Sequence, residues 1–93
     1  MALFFQWDNR KARSNKRKHG VTFEEASTVF GDPLSITIPD PGHSVGEDRF
    51  ATIGISINDR PIVVVHADRD DIIRIISARR ATRNEREQYD QKK

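Results

Sequence analysis

Ninety-three residues suffice for one modest core and not for two, so residues 1–93 read as a single domain. With no cysteine and three scattered histidines there is neither a disulfide framework nor a zinc-ligand spacing, and no metal or cofactor is expected. Apolar residues make up 35%, the net charge is +2, and no apolar run approaches the ~20 residues that cross a bilayer, so a soluble, cytoplasmic protein with no membrane contact is expected.

In chain order, Leu3 to Trp7 reads as a short strand, with the aromatic content that suits a pleated surface. Asp8 is an N-cap for a helix from Asn9 to His19, which Gly20 closes. That helix is almost wholly polar and rests on the body through one stripe, Ala12, Asn15 and His19. Thr22 and Glu25 have capping-box spacing and open a second helix from Phe23. Phe23, Ala26 and Phe30 share its buried face, with Val29 beside them, until Gly31-Asp-Pro33 stops it. Leu34 to Ile38 alternates as a half-buried strand, and residues 39–48 are a loop by composition.

Three strands follow closely. Arg49 to Ile57 sets Ala51, Ile53, Ile55 and Ile57 against Thr52, Gly54 and Ser56. Pro61 to Ala67 is apolar on both faces, as a central strand should be. A connection over Asp68 to Asp71 leads into a strand ending at Ser77, with Ile73 and Ile75 facing one way and Ile72, Arg74 and Ile76 the other. Thr82 and Glu85 form a second capping box for a helix from about Arg83, anchored only by Tyr89. The fold class expected is α+β: a mostly antiparallel sheet with the first strand at an edge, and helices, two N-terminal and one C-terminal, packed on one side.

Charge is segregated along this order. Residues 1–19 carry a net of +5, residues 20–72 a net of −7, and residues 73–93 a net of +4. If the ends meet they form one positive face for a polyanion; the alternative is two solvated helices. Arg74, mid-strand among isoleucines, either pairs with a carboxylate or opens onto a groove of the sheet. Arg79, Arg80 and Arg83 follow it with no acid between, and a rigid guanidinium fork suits phosphate oxygens. His19, at a helix C-terminus, is either a proton-transfer group or a cap. Glu47 and Arg49 lie side by side at a strand start, where they either reach the groove or form a surface ion pair. His66 reads as a hydrogen-bonded core residue and His43 as solvated; Trp7 and Tyr89 are candidates to stack on bases.

The pattern resembles the BrnT toxins. Trp7-Asp8, Lys11-Ala12, Asn15 and Lys18-His-Gly-Val21 match the family's opening motif, continued by Phe23-Glu-Glu-Ala26, Phe30 and Asp32-Pro33. His43-Ser44, Gly46-Glu47, Arg49, Ile53-Gly54, Val64-Val-His66 and Arg69 follow in register, then Arg74-Ile-Ile-Ser-Ala-Arg79, Ala81-Thr82, Glu85 and Tyr89. Gly31 and Ala67 depart from it, standing where aspartate and threonine are usual, and neither is expected to touch the arginines. The resemblance implies a RelE-like fold and a metal-independent endoribonuclease toxin of a type II toxin–antitoxin pair. It implies neutralisation by a BrnA-like ribbon-helix-helix antitoxin in a 2:2 heterotetramer that reaches operator DNA through the antitoxin. Arg74, Arg79, His19, Glu47, Arg49 and Tyr89 carry over as catalytic candidates, with Lys11, Lys18, Arg80 and Arg83 as RNA contacts. The competing reading is a module that binds nucleic acid or protein without cutting.

Overall fold

Pro61-Ile-Val-Val-Val is apolar at consecutive positions because both of its faces are covered. The structure, a computed structural model that describes residues 3–40 and 48–91, places it in the middle of a five-stranded sheet. The elements are β1 (Phe4–Gln6), α1 (Asn9–His19), α2 (Phe23–Thr28), a 3-10 turn (Val29–Gly31), β2 (Ile36–Pro39), β3 (Arg49–Ile55), β4 (Pro61–Arg69), β5 (Ile72–Arg80) and α3 (Arg83–Gln91). The strand order is β1-β5-β4-β3-β2, antiparallel throughout except for β1, which runs parallel to β5 at one edge.

The helices do not share a side. Val21, Phe23, Ala26 and Val29 pack on Ile62, Val64, Ile73, Ile75 and Ala78. The opposite face holds Ile53 and Val63 beneath Tyr89 of α3, with Ala81 beside them. The expectation of helices on one side is corrected by β3 and β4, whose alternate positions give each face its own apolar cluster. Gly54 marks the close approach on the first face: a Cβ there would lie 2.9 Å from Val29 Cγ1.

Strand ends differ from the sequence reading where side chains make the turns. Asp32 accepts from the Leu34 backbone N–H at 2.9 Å, which delays β2 to Ile36. The turn after β3 is closed by Ser56 N donating to Arg60 O at 2.9 Å, which ends that strand at Ile55. The β4–β5 connection is only Asp70-Asp71, with Asp70 at φ 56. One capping box is half formed: Thr22 caps Glu25 N, but the Glu25 carboxylate turns to Ser56 and Arg60 instead. The other is reciprocal, with Glu85 N on Thr82 Oγ1 at 3.3 Å and Thr82 N on Glu85 Oε1 at 2.8 Å.

A bulge decides which way the arginines point. Val65 opposes Ser77 while His66 opposes Ile75, so Ile76 is an extra residue in β5. Unbroken alternation would put Arg74 and Arg79 on opposite faces; the bulge puts both on the α3 side.

The outer strands are shorter than the strands they flank. β1 covers β5 only from Ile72 to Arg74. Beyond it Asn15, buried within α1, donates to Ala78 O at 2.8 Å and Val21 O at 2.9 Å and accepts from Ala78 N at 3.0 Å. At the other edge, β2 pairs with β3 only as far as Ile53. There Asp32 Oδ2 accepts from Ile55 N at 2.9 Å and from the Tyr89 hydroxyl at 2.7 Å. Asn15→Ala would leave three backbone groups without this partner, and a loss of about 2–4 kcal/mol in denaturant unfolding is expected. Asn15→Asp, which cannot donate to the two carbonyls, should be no milder.

Candidate functional site

Strand register sets four residues in one row across the open part of the sheet. Arg49 of β3 and Arg74 of β5 both oppose Ala67 of β4, and Gln6 of β1 lies beyond Arg74. With strands ~4.8 Å apart, the two arginine backbones are about 10 Å apart. Ala67, 7% exposed, separates them by a methyl group. The expectation that this position stands clear of the arginines is therefore corrected. A branched hydroxyl residue there would project between the two guanidinium stems.

Both arginines are half-buried, and Arg49 Nε is fully so. On the Arg74 side of the row runs an open groove of about 810 Å3 floored by Ala67, Ile72, Arg74 and Gln6. Arg69 and three acids, Asp48, Asp68 and Asp70, line its hairpin end, so its charge is mixed there.

A smaller cleft of about 190 Å3 lies further along β5, between Ile76 and Ser77 of the strand and Lys11, Lys18 and His19 of α1. Asn15 pins that helix to the strand edge, so His19 and the two lysines sit beside the open face. His19 is exposed. The basic last turn, Lys16 to His19, also complements the negative end of the helix dipole.

The remaining candidates are placed elsewhere. Arg79 opposes Val63, four residues from Ala67 along β4, or about 14 Å. Its guanidinium forks onto Glu85 at 2.7 and 2.8 Å, which joins β5 to the start of α3. Arg79 and Arg74 therefore lie on one face of the sheet but in different rows, whereas Arg74 and Arg49 share a row. Tyr89 is 5% exposed under α3 and donates to Asp32, so its ring is not presented for stacking. Trp7 is half-buried with its ring edge-on to Phe23. Arg80 is exposed at the end of β5, and Arg83 forms a loose ion pair with Glu87 at 3.6 Å. Glu47 and His43 lie outside the described residues.

His66 is the core histidine that the sequence suggested. Its ring lies against Phe30 and Phe50, with Nε2 2.7 Å from Thr52 Oγ1 and Nδ1 2.5 Å from Asp68 Oδ1. Thr52 in turn meets Thr37 at 2.8 Å. Since a carboxylate only accepts, the proton belongs on Nδ1. Thr52 is 1% exposed, so this hydroxyl–imidazole–carboxylate line offers substrate no nucleophile.

Residues 7–85 match the family described as ribonuclease toxin, BrnT, of type II toxin-antitoxin system. The chain belongs to the BrnT family. Its fold is also that of the Brucella abortus ribonuclease toxin BrnT, with a TM-score of 0.68 over 88% of this chain and 100% of that one, at 22% identity. Comparison with curated sequences gave no match.

In this BrnT chain the arginine row escaped the sequence reading although its signal was present. Taking Asp70-Asp71 as a two-residue turn pairs Arg69 with Ile72 and, counting back, Ala67 with Arg74; a four-residue connection hides that match. No helix among the described residues is long and apolar enough to cross a membrane.

Two titrations check these placements. Arg79 above all, with the Thr82 backbone N–H, holds the Glu85 carboxyl at about 2 against an ordinary 4.5. A depressed carboxyl stabilises the fold above pH 4.5 and loses that contribution as pH falls toward 2. Glu85→Gln should therefore flatten the acid limb of a stability–pH curve across that window. Burial, and then the Asp32 carboxylate, pushes Tyr89 up to about 12. A raised phenol contributes fully below its ordinary 10 and loses that contribution as pH rises through 12. Tyr89 is the sole tyrosine, so the phenolate absorbance reads it alone, and Asp32→Asn should lower its midpoint.

Proposed function

We propose that this chain is the ribonuclease of a type II toxin–antitoxin pair, cutting RNA on the open face of its sheet without a metal ion. The observation that carries the reading is the Arg49–Ala67–Arg74 row, with the helix bearing His19, Lys11 and Lys18 beside it on β5. Two guanidinium groups about 10 Å apart at the backbone can close on one phosphate from both sides. Held so, a ribose 2′-OH attacks its own phosphorus, the bond to the 5′ oxygen breaks, and a cyclic phosphate and a 5′-hydroxyl result. The arginines offset the charge added at phosphorus, the role in which preorganised donors are most effective.

The attacking hydroxyl must lose a proton and the leaving oxygen gain one. His19 is the proposed carrier, with Glu47 the alternative; Lys11 and Lys18 hold the neighbouring backbone, and Arg80 and Arg83 make outer contacts. Arg79 and Tyr89 act at one remove, by fixing α3 so that it covers only one end of the open face. The antitoxin that a type II pair requires is proposed to be of the BrnA, ribbon-helix-helix kind. It would form a cytoplasmic 2:2 complex with this chain and bind operator DNA.

The test is purified chain, separated from antitoxin, incubated with total RNA in EDTA. Fragments should accumulate with time, and Arg74→Ala should slow them about 100- to 1,000-fold with its melting temperature unchanged. A folded Arg74→Ala protein that cuts as fast as wild type sinks the mechanism. Retardation of RNA without any cutting would leave a binding module instead.

A further inference from the structure

Phe4 is turned outward. It is 60% exposed, whereas its neighbour Phe5 packs against Phe30 at 5.4 Å on the buried side. Register makes the placement specific: Phe4 lies beside Ile72, itself 41% exposed, and Gln6 beside Arg74. The pair Phe4–Ile72 is thus one step, two residues or about 7 Å, from the arginine row and on the same face. An apolar shelf with an aromatic top adjoins a cationic site, and the Gln6 amide stands next to Arg74 in the same row. Phe4 and Gln6 lie outside the matched residues 7–85, so nothing in the family match accounts for them.

A single-stranded polyanion fits this combination. Its phosphates require the arginines, and the base one nucleotide away requires a π-surface open to solvent. We propose that Phe4, backed by Ile72, is a stacking platform for the nucleobase adjoining the phosphate held on Arg49 and Arg74, with the Gln6 amide against that base's edge. The proposal rests on the ribonuclease reading and names how its substrate is seated. Stacking accepts any base, because each has a π-face; the Gln6 amide, which both donates and accepts, adds a preference among bases.

Fluorescence anisotropy with two labelled oligomers tests it: a short uridine oligomer whose 2′-O-methyl riboses prevent cleavage, and an abasic backbone of equal length. Phe4→Ala should weaken binding of the uridine oligomer about 5- to 150-fold, Phe4→Trp should restore it, and both should bind the abasic oligomer as wild type does. Arg74→Ala should weaken both oligomers. Because Phe4 is exposed, its variants should melt with the wild type, which thermal unfolding verifies. Equal uridine binding by wild type and Phe4→Ala overturns the platform alone, as does an equal loss for both oligomers. A variant that keeps its RNA affinity but loses the antitoxin shows the shelf to be a protein contact, and the proposal falls. If the wild type binds neither oligomer, the ribonuclease reading falls and takes the platform with it.

Discussion

The sheet is longer than its edge strands, and two side chains, the buried Asn15 and the half-buried Asp32, make up the difference. Where β1 stops at Gln6, the Asn15 amide meets both the N–H and the C=O of Ala78, as a further strand residue would. Where β2 stops, the Asp32 carboxylate takes the N–H of Ile55. Exposed edge groups invite pairing with other chains, and groups buried without partners cost about 1–3 kcal/mol each. Each plug also holds a helix: Asn15 ties α1 to β5, and Asp32, through the Tyr89 hydroxyl, ties α3 to the far end of the sheet. The open face between them, with its row of Arg49, Ala67 and Arg74, exists because the helices are fixed at these two places and not across the middle.

That arrangement separates arginines that look alike in sequence. Arg60 is drawn to Glu25 and also donates to Gly20 O at 3.1 Å, fastening the β3–β4 turn to the junction between α1 and α2. Arg79 forks onto Glu85 and fastens β5 to α3. Both are structural ties. Arg49 and Arg74 share Ala67 as cross-strand neighbour, so only a methyl group stands between them on that face.

Much of the fold was legible in the sequence. The N-caps, the closing glycine, the buried Phe23 and Ala26 of α2 and the continuous apolar run of β4 all depend on local chemistry, and each stands where local chemistry puts it. What escaped required either register or a competing partner. The β-bulge at Ile76 has no local signature, yet it turns Arg79 to the face of Arg74. Glu25 has capping-box spacing, but a guanidinium and a hydroxyl outcompete the backbone N–H it would otherwise accept. Tyr89 was rightly read as the anchor of α3. An anchor that is buried and bonded to Asp32 cannot also present its ring to a base, and the aromatic that does face outward, Phe4, lies in a strand whose pattern gives no sign of which ring turns in.

Segregation of charge along the chain has a structural reading as well as an electrostatic one. Acids of the middle segment act as acceptors inside the fold: Glu25 for Ser56 and Arg60, Asp32 for Ile55 and Tyr89, Asp68 for His66. A carboxylate accepts through two oxygens and donates nothing, so it suits turns and strand ends, where backbone and side-chain donors gather. The bases of α1 have no such use inside the fold, and its lysines and arginines stay in solvent. Glu25, Asp32 and Asp68 of the negative middle are thus used as acceptors within the fold, while Glu24, Asp48, Asp59, Asp70 and Asp71 stay exposed. The cations of α1 stay on the outside, beside β5.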